Sequence, residues 1–174
     1  MADFFSQYSG FFIKIFAAVV CGGIIGLERE VSGKAAGLRT NILICMGATI
    51  YMVVSDLVPK IYGVPADPGR IAAQVVTGIG FIGAGSIIRS GATVAGLTTA
   101  ATIWIVAAIG LVIGIGFPFL AILFTLVVLL VLAGLRKVET RFNLGDKSNN
   151  LNQDNLSDSQ TILTKPRKDD ETAE

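Results

Sequence analysis

Apolar residues fill most of the first 135 positions, and short polar or proline-containing segments divide them into five stretches. Hydrocarbon about 30 Å thick is crossed by a helix of about 17–25 residues, because each residue advances the helix by about 1.5 Å. The pattern predicts membrane spans at residues 11–27, 38–57, 71–88, 97–115 and 119–135. We therefore expect an all-α integral membrane protein whose helical bundle covers residues 1–135.

The third stretch, RIAAQVVTGIGFIGAGSIIR at positions 70–89, is unusually rich in small residues. In water, a Gly weakens a helix by about 1 kcal/mol relative to Ala. In a bilayer the backbone has to satisfy its own hydrogen bonds, and bare helix faces let neighbouring helices approach closely. We therefore expect the third helix to lie at the centre of the bundle, with other helices packed against it.

Three glycines of this helix, Gly78, Gly80 and Gly83, also match the GxGxxG spacing of a dinucleotide-binding turn. That fingerprint needs a preceding strand, a following helix and an acidic residue about 20 positions further on. Here the preceding residues form no polar turn, and the region around Trp104 carries no acid. Helix packing is therefore the preferred interpretation, and we predict the same role for a wider set of glycines: Gly22, Gly26, Gly78, Gly80, Gly83, Gly85, Gly110 and Gly114.

The remaining helices differ in the surfaces that they offer. Gly22 and Gly26 have the GxxxG spacing that brings helices together, as do Gly110 and Gly114, so both pairs offer contact surfaces for a homo-oligomer. The fifth span is nearly all Leu, Ile, Val and Phe and has no face of small residues. We expect it at the edge of the bundle, facing lipid.

Composition agrees with a membrane protein, because 16% of the residues are charged against about 25% in soluble domains. Residues 136–174 become rich in Asn, Ser and Asp, which predicts a disordered cytoplasmic tail. The first residues contain an acid and no basic cluster, so we expect no cleaved signal peptide. The net charge of +1 gives no reason to expect nucleic acid as a partner; the predicted partner is the lipid bilayer.

The distribution of positive charge predicts the orientation. Five spans place the two termini on opposite sides of the membrane. Most basic residues then fall on the side of the tail, namely Arg29, Lys34, Arg39, Arg89, Arg136, Lys137, Arg141 and Lys147. The other side receives Lys60 and Arg70. By the positive-inside rule, we expect the N-terminus outside and the C-terminus in the cytoplasm.

Polar residues gather at the predicted cytoplasmic ends of the spans: Glu28, Arg29, Glu30, Arg39, Thr40 and Arg89. They could form a packed charge network or a polar vestibule at that face. They could equally be interfacial anchors that fix the orientation of the helices and nothing more.

At membrane depth the sequence places only neutral polar groups, and we select Gln74, Thr77, Ser86, Thr98 and Thr99. Gln74 and Thr77 lie one turn apart, where they could line a polar path or hydrogen-bond to a neighbouring helix. No Asp or Glu lies in the middle of a span, which argues against an autonomous active transporter. The sequence has no His and assembles no catalytic constellation, so we expect neither an enzyme nor a bound cofactor.

Three strings, IIGLEREVSGKAAGLRTNILICMGA, RIAAQVVTGIGFIGAGSIIR and VAGLTTAATIWIVAAIGLVIGIG, closely resemble the MgtC/SapB membrane protein family. The resemblance runs from about residue 21 to residue 116 and implies a multi-pass protein of the bacterial inner membrane with about five spans. The positions that match the family's most characteristic residues are Glu28, Arg29, Gly37, Arg39, Thr40, Arg70, Gln74, Gly78, Gly80, Gly83, Gly85, Arg89, Gly96, Thr99 and Trp104.

The resemblance implies a link to Mg²⁺ transport or homeostasis, with Mg²⁺ as the transported or sensed ion. Its best-known branch is associated with growth in low Mg²⁺ and survival inside host cells. That branch reads close to GLNTAATLWC where this chain has GLTTAATIWI, with Thr98 in place of Asn and Ile105 in place of Cys. It also carries a folded cytoplasmic domain after the last span, for which the present tail is too short and too polar. Both differences favour the shorter, SapB-like branch.

Two functions therefore remain open. The first is a small Mg²⁺-linked transport protein, which we expect to be a homo-oligomer because one chain offers little polar path. The second is a non-transporting regulator that contacts another membrane protein through the third helix. For that partner, the resemblance suggests ATP synthase or a transporter.

Overall fold

The computed structural model describes residues 2–63, 67, 69–91 and 93–141, with side chains over 9–63, 67, 69–91 and 93–137. Along this part the chain forms α1 (Ala2–Val31), α2 (Leu38–Tyr62) and α3 (Gly69–Gly85), then the strands β1 (Ile88–Ser90) and β2 (Thr93–Ala95), then α4 (Leu97–Ile115) and α5 (Pro118–Arg141). The chain divides into two compact units, residues 1–133 and 134–174, and the second is described only over the end of α5.

The prediction of an all-α membrane protein is confirmed. Within the described residues, four helical segments are long and apolar enough to cross a membrane: Ser9–Val31, Leu38–Tyr62, Leu97–Ile115 and Pro118–Lys137. The remaining helix, α3, has 17 residues and lies at the lower limit of a membrane-spanning helix, about 17 residues. The number of crossings and the side of each terminus therefore stay predictions.

Helix α2 lies at the centre of the bundle, where glycines of two other helices let their backbones approach it. On one side, a Cβ atom added to Gly22 would lie 2.7 Å from the Asn41 carbonyl oxygen, and one added to Gly26 would lie 2.7 Å from Leu38 Cα. Neither separation leaves room for a side chain. The GxxxG face of α1 is therefore in direct backbone contact with α2.

The opposite side of α2 meets α4 in the same way. A Cβ atom on Gly114 would lie 2.5 Å from the Met52 Cβ atom, and the corresponding position on Gly110 is filled by the Cys45 carbonyl. The Thr49 hydroxyl donates across this contact to the Gly110 carbonyl at 2.9 Å. Side chains from four helices, among them Cys21, Cys45, Ile113 and Ala121, form the buried core around the contact.

These contacts also fix the helix directions. Gly22 of α1 lies against Asn41, whereas Gly26, one turn later in α1, lies against Leu38, which is earlier in α2. Helices α1 and α2 therefore run antiparallel. Gly110 of α4 lies against Cys45, and Gly114, one turn later, lies against Met52, which is later in α2. Helices α2 and α4 therefore run parallel. The turn after α1 and the start of α4 therefore lie at the same end of the bundle.

The expectation that the third helix is central is wrong, because α2 occupies that place. Among the residues of α3, Ile79 and Gly83 are the buried ones. Gly83 faces Ala100 of α4 at ordinary contact distance, whereas a Cβ atom at Gly78, Gly80 or Gly85 would have nothing within 4 Å. Small residues permit close approach but do not determine which neighbour uses it, and here α1 and α4 supply the glycines that pack on α2.

The third span also ends earlier than predicted, at Gly85 instead of residue 88. The Ser86 hydroxyl donates to the Gly83 carbonyl at 2.7 Å, a local bond that competes with continuation of the helix. The next residues pair in an antiparallel hairpin that joins Ile88 to Ala95 and Ser90 to Thr93. Gly96 then starts α4 with φ +88°, and the Ser86 carbonyl oxygen fills the space where its Cβ would be.

Three other helices extend beyond the ends of the predicted spans. Helix α1 continues to Val31 instead of ending at residue 27. Helix α2 continues through Pro59 to Tyr62, supported across the proline by an ion pair between Asp56 and Lys60 at 2.6 Å. Helix α5 extends beyond residue 135 to Arg141, and the predicted disorder beyond that point lies outside the described residues.

The glycine contacts generate a stability prediction. We expect Gly26→Ala to lower the free energy of unfolding by about 1–3 kcal/mol, the usual cost of overpacking, because its new Cβ would meet the α2 backbone. Unfolding is measured by SDS titration in mixed micelles, with maleimide labelling of the buried Cys21 and Cys45 as the probe. Gly47→Ala on α2 is the control, since its Cβ has nothing within 4 Å. Equal stabilities for the two variants would contradict this packing.

Candidate functional site

A cluster of five polar residues, Glu28, Arg29, Glu30, Ser32 and Asn41, surrounds the turn between α1 and α2; we call it the polar cluster. Arg29 is its centre, with 3% of its side chain exposed. Its Nε donates to Glu28 Oε2 at 2.6 Å, and the Ser32 hydroxyl donates to the other oxygen of the same carboxylate at 2.7 Å. The pair is therefore a structural ion pair inside the protein, held in place by a third group.

The other two members hold the turn itself. Glu30 accepts the backbone N–H of Leu38 at 2.8 Å, which places a negative charge at the positive start of α2. The Asn41 amide nitrogen donates to the carbonyls of Ala36 and Gly37. Among the described residues, the side-chain oxygen of Asn41 is the one buried side-chain polar atom without a hydrogen-bond partner.

The local sequence explains why these groups meet. Arg29 follows Ala18 and Ile25 on the buried face of α1 at helical spacing, so it is carried inward with them. Asn41 likewise begins the buried face of α2 that continues at Cys45 and Ala48. Between them the chain reverses through Ala36, which adopts φ +58° and is stabilised there by the Asn41 amide.

The structure brings together only part of the polar set that the sequence selects. Glu28, Arg29 and Glu30 lie beside the turn, whereas Arg39 and Thr40, in the first turn of α2, are exposed. Arg89 lies on the hairpin, where its Nε donates to the Gly91 carbonyl at 3.2 Å. Ser32 and Asn41 are not among the residues selected from the sequence. The helical spacing of Asn41 with Cys45 and Ala48 nevertheless indicates that Asn41 lies on the buried face of α2.

The neutral polar residues predicted at membrane depth are dispersed. The Thr77 hydroxyl donates to the Ala73 carbonyl of its own helix at 3.0 Å, and Ser86 bonds to Gly83 at the end of α3. Thr99 is buried in the first turn of α4, and Thr98 beside it is exposed. Gln74 is exposed and borders a groove between α2 and α3.

That groove has a volume of about 560 Å³ and is lined almost entirely by apolar side chains. Its α2 wall consists of Leu43, Ile44, Gly47, Ala48 and Tyr51. Its α3 wall consists of Ile71, Gln74, Val75, Gly78, Ile79 and Ile82. We call it the α2–α3 groove.

A further charged group is partnered at the opposite end of the bundle. Lys14 of α1 donates from Nζ to the Gly114 carbonyl in the last turn of α4, at 2.8 Å. A cation at this position is favourable, because the final carbonyls of a helix carry partial negative charge. In the described part of the chain, no three Asp, Glu, His or Cys side chains gather as a group that could hold a metal ion.

Apolar helices packed through glycine contacts, with their charges held at the ends, define a multi-pass α-helical membrane protein. Comparison with known proteins gives its family. The sequence profile of the MgtC family matches residues 15–141, from α1 to the end of α5, and the chain belongs to that family.

Several curated relatives align with the chain. It is 51% identical over 126 residues to YhiD of Escherichia coli K12, which is named as a candidate magnesium transporter; the match covers 70% of this chain and 59% of YhiD. It is 42% identical over 133 residues to the protein MgtC of Salmonella typhimurium LT2, covering 76% of this chain and 55% of that protein. The chain thus spans under two thirds of these relatives' lengths. No solved structure matches it.

The buried ion pair generates a second prediction. We expect Arg29→Met to lower the free energy of unfolding by about 3–5 kcal/mol, because it leaves the Glu28 carboxylate inside the protein without its cation. Lys60→Met removes the cation of an exposed pair and should cost at most about 1 kcal/mol. The same SDS titration measures both variants.

A double variant separates charge from packing. Glu28→Gln combined with Arg29→Met removes both charges, so it should recover much of the stability lost by Arg29→Met alone. If the double variant loses as much free energy of unfolding as the two single variants added together, the ion pair is not what holds the turn.

Proposed function

We propose that this chain is a non-enzymatic protein of the bacterial inner membrane that takes part in Mg²⁺ transport or homeostasis. The observation that carries the proposal is the 51% identity to YhiD, a candidate magnesium transporter. The family match across residues 15–141 supports extending the likeness to the whole helical bundle.

The placement of the polar groups supports a homo-oligomer as the working form. Within one chain they do not share a path: Gln74 borders the α2–α3 groove, Thr77 bonds to its own helix, and Thr49 is enclosed in the α2–α4 contact. We therefore propose that any route for the ion runs between copies of the chain. The exposed glycines of α3, such as Gly85, would let two copies approach closely.

Mg²⁺ flux into liposomes tests the transport form of the proposal. Purified full-length protein is reconstituted with a trapped Mg²⁺ indicator, and we expect saturable uptake that empty liposomes lack. Where the polar cluster faces the external solution, Glu30→Gln should raise the half-saturation concentration by about fivefold, since one charge near the ion contributes about 1 kcal/mol. Gln keeps an oxygen that can accept the Leu38 N–H.

Lys34→Gln is the matched control, because it removes a charge of opposite sign from the exposed loop beside Glu30. It should lower the half-saturation concentration or leave it unchanged. Absence of uptake by folded protein, or equal effects of the two variants, would contradict transport through this end of the bundle.

We also propose five crossings with the N-terminus outside. Helix α2 ends at the opposite end of the bundle from the start of α4, so α3 has to return the chain, and its 17 residues advance about 25 Å. Single cysteines at Lys34, Ser90 and Asp67 test this with a membrane-impermeant maleimide. We expect labelling from outside at Asp67 and labelling at Lys34 and Ser90 only after permeabilisation. Labelling of all three from one side would contradict the proposal.

A second candidate is a non-transporting regulator that contacts another membrane protein through α3. The exposure of this helix favours it, since Phe81 is 85% exposed. A photo-crosslinking residue at Phe81 distinguishes the two functions. Capture of a different membrane protein, without Mg²⁺ flux by the purified chain, would support regulation.

A further inference from the structure

The α2–α3 groove has features of a ligand site that the proposed function does not use. Its volume of about 560 Å³ falls within the range of about 300–1,000 Å³ found for small-molecule sites. Because its lining is almost entirely apolar, hydrocarbon is a more favourable filling than water.

The two ends of the groove differ in polarity. Helices α2 and α3 run antiparallel, so Tyr51 of α2 lies towards the same end as Ile71 and Gln74 of α3. These two polar side chains therefore border one end, whereas Leu43 and Ile82 border the other. An amphiphile with one polar end and one apolar end matches this arrangement.

A positive charge is available at the polar end. Arg70 precedes the lining residue Ile71 and lies one helical turn before Gln74, on the same side of α3. Its side chain is exposed, and no carboxylate in the described part of the chain lies within 4 Å of its guanidinium. The carboxylate closest in sequence, Asp67, instead accepts the backbone N–H of Gly69 at 2.8 Å.

We propose that the α2–α3 groove binds one acyl chain of an anionic phospholipid, whose phosphate contacts Arg70. Gln74 and Tyr51 supply hydrogen bonds to the ester groups below it. The acyl chain alone gives no preference, because the surrounding lipid is as apolar as the groove. Selectivity for this lipid therefore depends on the charge at Arg70.

Lipid retention by the purified full-length chain tests the proposal. Protein in detergent is mixed with phosphatidylglycerol or phosphatidylcholine, and native mass spectrometry measures how much lipid remains bound. We expect one retained phosphatidylglycerol and weaker retention of phosphatidylcholine. Arg70→Gln should reduce the preference by about fivefold, equivalent to about 1 kcal/mol for one basic residue near an anionic surface. Lys60→Gln, at the same end of the bundle but paired with Asp56, should leave it unchanged.

Variants that fill the groove test the proposal in a second way that does not depend on charge. Gly78 lines the groove and an added Cβ meets nothing within 4 Å, so Gly78→Leu should occupy the space and abolish retention. Gly80→Leu is the matched control, because Gly80 has the same open surroundings but does not line the groove. Gly47→Leu, on the facing wall, repeats the test if Gly78→Leu fails to fold.

Protection of Cys21 and Cys45 from maleimide verifies that each variant is folded. Loss of lipid in Gly78→Leu or Gly47→Leu, but not in Gly80→Leu, supports the proposal. Equal retention by the groove and control variants overturns it. It is also overturned if the groove variants change only the oligomeric state, because the occupant is then a second copy of this chain. These readouts are independent of Mg²⁺ flux.

Discussion

Direct backbone contact on two sides of α2 is the constraint on which the rest of the bundle depends. The hydrophobic effect does not drive helix association in a bilayer, because the surrounding lipid is equally apolar, so association depends on close packing and interhelical hydrogen bonds. The glycines at positions 22 and 26 of α1 and 110 and 114 of α4 remove the side chains that would keep the backbones apart. The resulting proximity lets Thr49 bond across helices and sets Asn41 beneath Gly26.

Charged groups are accommodated in this bundle by giving them partners at helix ends. Lys14 donates to the end of α4, Glu30 accepts from the start of α2, and Arg29 pairs with Glu28 beside the turn. The Lys14 and Glu30 interactions each join two helices, whereas the Arg29–Glu28 pair lies within α1. The charges therefore do more than mark the membrane boundary, because they tie the ends of helices whose middles are held by close packing.

The sequence was sufficient to predict the helical membrane class and the family, since both depend on long apolar stretches and on extended strings of residues. It was not sufficient to predict which helix is central. Gly78 and Gly22 look alike in the sequence, yet only Gly22 meets another backbone. The difference lies in the facing surface, which comes from a distant part of the chain.

The polar cluster shows the same division. Helical spacing alone carries Arg29 to the buried face of α1, so its burial follows from local sequence. The exposure of Arg39 and the position of Arg89 depend on the turn at residue 36 and on the hairpin after α3, and neither leaves a hydrophobic pattern. The Ser86 hydroxyl bond at the end of α3 resembles those made within helices by Thr77 and Thr102, so the hydroxyl alone does not mark where the helix ends.

The junction at Gly96 has a mechanical consequence. Contact between Gly96 and the Ser86 carbonyl, together with the hairpin, anchors the last turn of α3 to the start of α4. The buried residues of α3, Ile79 and Gly83, also lie towards this end. The contacts that hold α3 are therefore concentrated at its hairpin end. A tilt of α3 about that end would displace Arg70 more than Gly83, and would change the width of the groove at its polar end.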